Sequence, residues 1–127
     1  MKKLLTVVVV LLALVGVLLL SLPTIVHKAG LHPEYDGPSV ALPGKRALII
    51  TTSHGVLAAP GEIEGPATGV AASELTHPYY VFLDGGMDVD VASIRGGEIP
   101  IDPQTLSFIF KTPEDERYLN DAVAQAK

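Results

Sequence analysis

The chain has 127 residues, no cysteine and a formal net charge of −5. That length holds one domain once a membrane segment is set aside, and without cysteine there can be no disulfide, thiolate metal site, cysteine nucleophile or lipidated-cysteine anchor within it. Beyond Lys28, six Lys/Arg face fourteen Asp/Glu, a balance of −8, so no nucleic-acid partner is expected: a phosphate-binding surface needs clustered basic charge.

The hydrophobic share of 48% is concentrated in the first 26 residues. Leu4 to Val26 is uncharged and almost entirely Leu, Val, Ala and Ile. As a helix this run reaches about 34 Å, enough for a hydrocarbon core of roughly 30 Å. Thr6, Gly16 and Ser21 are tolerated there, and Pro23 sits near the end, where a kink costs little. The competing reading is a cleaved signal, whose apolar region runs about 7–15 residues and precedes an A-x-A-like site. Ser21 to Gly30 offers no such pair of small residues, so residues 1–27 read as an uncleaved anchor with membrane lipid as its partner. Lys2 and Lys3 place the N-terminus in the cytoplasm. The expected location is the cytoplasmic membrane, single-pass, with the soluble part outside. No basic juxtamembrane cluster points to lipid head groups.

Residues 28–44, with Gly30, Pro33, Gly37, Pro38, Pro43 and Gly44, read as a linker. Arg46 to Thr52 is a short apolar run with β-branched residues, suited to a strand buried on both faces of a parallel sheet. Ser53 to Ala67 reads as a loop; its glycines match neither G-x-G-x-x-G nor the P-loop, and no motif calls for a cofactor. A helix is predicted from about Gly69 to Asp84, with Leu75, Tyr79 and Phe82 on one apolar face, Pro78 as its kink or first regular turn, and Gly85-Gly86 as its stop. Met87 to Ser93 alternates as a second strand. Strand, helix, strand is a βαβ unit, which demands a parallel sheet.

Arg95 to Pro103 is loop, and Thr105 to Phe110 a short helical or extended piece. Thr112-Pro113-Glu114-Asp115 is a helix start, with Thr as N-cap, Pro at N1 and acids in the first turn; that helix is predicted to run to the end. Two strands cannot carry a helix layer on each face, so the domain reads as incomplete.

Four blocks are familiar: Lys45 to His54, Thr68 to Tyr80, Asp84 to Ser93, and Gly96 to Pro103. In this order they resemble the ThiJ/PfpI family, in the branch of stress chaperones and glutathione-independent glyoxalases. The match covers roughly Lys45 to Leu106. The resemblance implies the class I glutamine amidotransferase-like superfamily and an α/β flavodoxin-like sheet, here incomplete over residues 45–127 and preceded by one transmembrane helix. Family members carry a cysteine at a strand-to-helix elbow with a histidine beside it, and a glutamate from the first helix hydrogen-bonds the cysteine. By the Thr-Gly-x-x-x-x-Glu pattern from Thr68, that glutamate is Glu74. A carboxyl beside a thiol tunes the thiolate that attacks a carbonyl. His54, Thr68 and Gly69 would line the same pocket. The elbow lies in the family's second half, and this chain has none. It is therefore expected to be inactive alone, while complete relatives act on small carbonyls or amide bonds. The resemblance also implies a dimer, while a complementing chain that completes the sheet belongs to the non-catalytic rival. Two rivals stand beside it: a non-catalytic single-pass protein whose soluble stub binds a partner, and a nonfunctional remnant.

Each candidate has a blander reading. Glu74 can be a surface carboxylate and His54 a polar loop residue. Glu74 and His77, spaced i, i+3, make half of a carboxylate-bridged metal site without its second half. His32-Pro33-Glu34 has an H-x-E spacing but no Cys-x-x-Cys partner. Asp84, Asp88 and Asp90 fail the EF-hand register, because Val89 stands at position 6 and Arg95 at position 12. No metal is expected.

Overall fold

The structure, a computed structural model, describes residues 2–31 and 37–127. The His32-Pro33-Glu34 spacing lies outside the described residues. The chain divides into two compact units, Met1–Asp36 and Gly37–Lys127.

The first unit is one helix, α1 (Lys2–Val26), followed by a π-helical turn over His27–Leu31. Lys2–Gly30 is long and apolar enough to cross a membrane. Thr6 and Ser21 bond back to the helix's own backbone: Thr6 Oγ1 donates to the Lys2 carbonyl at 3.0 Å and Ser21 Oγ to the Leu18 carbonyl at 2.8 Å. That is how polar side chains are carried in an apolar helix. The helical stretch extends past Lys28, where the linker was expected to begin. The stop is Gly30, whose φ of 83° breaks the run and which lacks the Cβ that would penalise that conformation.

The second unit is a mixed α/β arrangement built on two parallel strands, β1 (Arg46–Thr51) and β2 (Asp88–Ser93), registered from Arg46↔Asp88 to Thr51↔Ser93. The crossover between them is α2 (Ala72–Asp84). Residues alternate along each strand. Ala47, Ile49 and Thr51, with Val89, Val91 and Ser93, are the more buried set, whereas Leu48 and Ile50 are 60% and 69% exposed. The expectation that β1 is buried on both faces is thus met on one. Among the described elements only α2 and β2 pack against β1.

The core gathers Tyr79, Tyr80, Val89 and Ala124, with Ile49, Phe82, Val91 and Tyr118 packed around them. Tyr79 meets Tyr80 edge-on at 5.0 Å between centroids and Tyr118 at 6.5 Å, a geometry that satisfies the ring quadrupoles. Leu75 is fully buried, as is Ala72. Burying a Leu side chain contributes about 1.5–3 kcal/mol.

α2 begins at Ala72 instead of Gly69, because Val70 is held in an isolated parallel bridge to Ile101. Pro78 lies inside the helix, which runs on to Asp84. Its end is a Schellman motif. Gly86 takes φ 84°, its N–H donates to the Leu83 carbonyl at 2.9 Å, and the Met87 N–H donates to the Phe82 carbonyl at 3.1 Å. Met87 is consumed by that motif, so β2 starts one residue later than the alternation suggests.

The segment Thr105–Phe110 is a series of turns, neither helix nor strand. α3 (Pro113–Leu119) opens on the expected cap, extended to a full capping box: Thr112 Oγ1 accepts from the Asp115 N–H and Asp115 Oδ2 accepts from the Thr112 N–H. The final helix does not run to the end. It breaks at Asn120, and Asp121 caps a separate short α4 (Ala122–Gln125) by accepting from the Val123 and Ala124 N–H groups.

Candidate functional site at the carboxyl edge of the sheet

In a parallel sheet the crossover helix starts beyond the carboxyl ends of the strands, where open α/β sheets bind ligands. Here that edge is made of the residues after β1, the residues after β2, and the first turn of α2. The Ser53 hydroxyl ties the first two together, accepting the Arg95 N–H at 2.8 Å. The His54 N–H turns back onto Thr52 Oγ1 at 2.9 Å, and the residue as a whole is exposed.

The loop between β1 and α2 folds on itself. Val56 and Ala67 form an antiparallel bridge, the Leu57 N–H donates to the Pro66 carbonyl at 2.9 Å and the Thr68 N–H to the Gly55 carbonyl at 3.1 Å. Thr68 and Gly69 are thereby brought beside the neighbour of His54. A second strap comes from far along the chain. Thr68 Oγ1 bonds Asp102 Oδ2 at 3.3 Å, and Val70 exchanges backbone hydrogen bonds with Pro100 and Asp102. Thr105 Oγ1 then accepts the Ala72 N–H at 3.0 Å. This supplies one orphan donor at a helix start whose own N-cap, Ala71, has no side-chain acceptor.

Gly69 is the tightest point of that strap. A Cβ there would stand 2.1 Å from the Pro100 carbonyl oxygen and 2.7 Å from the Ile101 nitrogen, both backbone atoms. Gly69→Ala is expected to push the 99–102 segment away and to destabilise the unit by about 1–3 kcal/mol. Faster amide exchange at Val70 and Asp102, the donors of the bridge, would register it; unchanged exchange there would contradict it.

Glu74 lies in the first turn of α2 and is exposed. Among the described residues its carboxylate forms no hydrogen bond with His54, Thr68 or Gly69. A carboxylate so placed can accept a hydrogen bond or proton from a group docked at the sheet edge. His77, one turn on, is drawn the other way: Nε2 lies 3.1 Å from Thr112 Oγ1 and 3.4 Å from Glu114. The pair Glu74 and His77 gathers no third ligand, and no cluster of three metal-ligating side chains occurs among the described residues.

Sequence reasoning missed Ser93, Asp102 and Thr105. Ser93 ends β2, is 9% exposed, and its Oγ is buried with no hydrogen-bond partner among the described residues. A buried polar atom of this kind is uncommon. Asp102 and Thr105 do carry a local signal, an Asp-Pro-x-Thr turn in which Asp102 Oδ1 accepts the Gln104 N–H and the Asp102 carbonyl accepts the Thr105 hydroxyl. The turn is readable; its docking against Thr68 and Ala72 is not. A cavity of about 190 Å³ lined by Val91, Ile99, Ile101, Tyr118 and Lys127 lies along β2, below the size range of small-molecule sites, roughly 300–1,000 Å³.

No family profile and no curated protein matches the chain. A solved structure does: the Francisella tularensis Rapid Encystment Protein 24 KDa (REP24), at 38% sequence identity and a TM-score of 0.54 over 65% of this chain. The chain spans 34% of that chain's length.

Proposed function

We propose that this chain is the membrane-tethered front portion of a ThiJ/PfpI-type domain and that it contributes the glutamate side of a cysteine-dependent site. The observation that carries the proposal is the joint position of the Ser53–Thr68 loop and Glu74 at one edge of a parallel sheet. The four sequence blocks support it. α1 would hold the domain at the cytoplasmic membrane, N-terminus inside, with the α/β unit on the far side. A flavodoxin-like sheet would be completed by further strands, one of which leads into the elbow bearing Cys and His. Glu74 would hydrogen-bond that thiol and set the fraction present as thiolate, the species that attacks a small carbonyl or an amide. The reaction itself belongs to the cysteine, which this chain does not contain.

The test begins with the DNA downstream of the Lys127 codon. A reading frame encoding an Ala-x-Cys-His-Gly elbow is expected, and the chain restored through it should carry one cysteine whose alkylation rate follows a pH profile. Glu74→Gln should shift that profile while far-UV circular dichroism stays unchanged. A restored protein whose thiol reactivity ignores Glu74→Gln, or a downstream sequence with no such elbow in any frame, would sink the proposal.

A further inference from the structure

Positive charge is scarce beyond Lys28, where fourteen carboxylates face six cations. Most of those cations are held. Arg46 and Lys127 approach Asp90, Lys111 pairs with Glu116, and Arg117 with Asp84. Among the described residues, the side chains of Lys45 and Arg95 form neither an ion pair nor a hydrogen bond. Lys45 precedes β1, at the amino edge of the sheet. Arg95 follows β2, at the carboxyl edge, and is exposed. Glu98 stands three residues further on and does not pair with it.

The backbone fixes the place of Arg95. Its N–H donates to Ser53 Oγ at 2.8 Å, and the Ile94 N–H donates to the Thr51 carbonyl at 3.2 Å. The residue after Ser53 is His54, exposed as well, with its own N–H held on Thr52 Oγ1. One hydrogen bond thus ties the root of an arginine to the segment that carries a histidine. Gly96 and Gly97 continue the chain with φ of 74° and 78°, and a Cβ at either would meet nothing within 4 Å. The space beside the root of Arg95 is therefore open. Two residues before Arg95, Ser93 ends β2 with its buried, unpartnered hydroxyl. A buried hydroxyl in this state has a hydrogen bond left to give.

We infer that the carboxyl edge of the sheet takes a ligand bearing a carboxylate, and that Arg95 recognises it, with His54 beside it. A guanidinium presents paired N–H donors whose spacing matches the two oxygens of a carboxylate. One free arginine balances one negative charge. A phosphate brings more than one, into a segment already rich in acids and with Glu74 at the same edge. The Ser93 hydroxyl is a further donor at this end of the sheet. The inference rests on reading this edge as the reacting end of the domain. Within that reading it narrows small carbonyl compounds to those that also carry a carboxylate, the 2-oxo acids. Neither Glu74 nor a thiol holds the carboxylate.

The test titrates the full chain, in detergent micelles at low salt, with pyruvate and with its uncharged analogue pyruvamide. Pyruvate should shift the amide resonances of Ser53, His54 and Arg95 saturably, and pyruvamide should bind at least about tenfold more weakly, as expected for losing a charged hydrogen bond. Arg95→Gln, at an exposed position, should weaken pyruvate by a similar factor while the resonances of core residues stay in place. Lys45→Gln removes the same charge at the opposite edge and should leave pyruvate binding unchanged. Absence of shifts at Ser53, His54 and Arg95 would overturn the inference, as would equal binding of pyruvamide. An equal loss in Lys45→Gln would mean a general charge effect, and tighter binding of inorganic phosphate would mean a different ligand class; either result sinks it. Binding is read without a thiol, so a failed Glu74→Gln test leaves this inference standing, and a failed titration leaves the thiol reading standing.

Discussion

Asp115→Ala is expected to destabilise the α/β unit by roughly 3 kcal/mol. Asp115 is 1% exposed and belongs to the first turn of α3, yet it serves two elements at once. Its Oδ1 accepts the hydroxyl of Thr76, on α2, at 2.6 Å, and its Oδ2 accepts the Thr112 N–H at 2.8 Å. Both donors are themselves buried, Thr76 at 1% and Thr112 at 6%. Truncation would leave two donors without water or partner, and a buried unsatisfied group costs about 1–3 kcal/mol. Asp115→Asn keeps one acceptor oxygen but turns an amide N–H₂ toward a donor, so it should recover only part of the loss. Urea unfolding of the full chain in micelles, followed by the near-ultraviolet tyrosine signal, gives the magnitude. Exchange rates of α3 amides locate it. A midpoint unchanged in Asp115→Ala would mean that α3 is held on α2 by apolar contact alone.

The second large effect is expected at Tyr80. Its ring is 2% exposed and stacked edge-on with Tyr79. The Arg117 guanidinium lies 3.9 Å from its centroid, itself held by a bidentate pair to Asp84 at 2.8 and 2.9 Å. The hydroxyl donates to Asp121 at 3.2 Å. Tyr80→Ala should therefore remove about 3–5 kcal/mol, as expected for a buried aromatic. The phenol also gives a pH signature. Burial, then the negative charge of Asp121 and the hydrogen bond to it, push its pKa up from 10.0 to about 12, with Arg117 opposing. A raised folded-state pKa means that the neutral phenol is the favoured folded form. Its contribution is full below pH 10 and is lost as pH rises from 10 through 12. Tyr79 and Tyr118 shift in the same direction, each chiefly through burial. Absorbance at 295 nm should show these three ionising late, Tyr80 last and together with unfolding, while in urea all titrate near 10. Asp121→Asn should bring the last step down. A titration that ends near pH 10 in the folded protein would contradict the packing described for Tyr80.

These effects share a cause: the unit is held by a few contacts between distant parts of the chain. Asp115 and Thr76 are 39 residues apart, and Tyr80 and Asp121 are 41. The sheet adds little cover, because one of its faces carries no helix or strand among the described residues. The candidate site has the same character. His54, Thr68 and Gly69 belong to one loop whose shape depends on Asp102 and Pro100, about thirty residues further on. Glu74 stands exposed in the first turn of α2.

The sequence by itself determined the features decided within a turn or two. The uncharged run from Leu4 makes α1, because backbone pairing in a helix is local and its apolar side chains suit lipid. Thr112-Pro113-Glu114-Asp115 starts α3, since the cap acceptor and its donor lie three residues apart. Gly86 ends α2, because a left-handed residue is needed at that place whatever the surroundings. β-branched composition marks both strands, and a helix between them requires that they be parallel. The tertiary structure alone decided where α2 begins, since Val70 is removed from the helix by Ile101 and Ala72 is capped by Thr105. It decided that the final helix breaks at Asn120 so that Ala124 can reach Val89. It also decided that Leu48 and Ile50 stand exposed, although the sequence carries them as core residues. Local rules place a residue on a face of its own element; which faces meet depends on the chain that arrives from elsewhere.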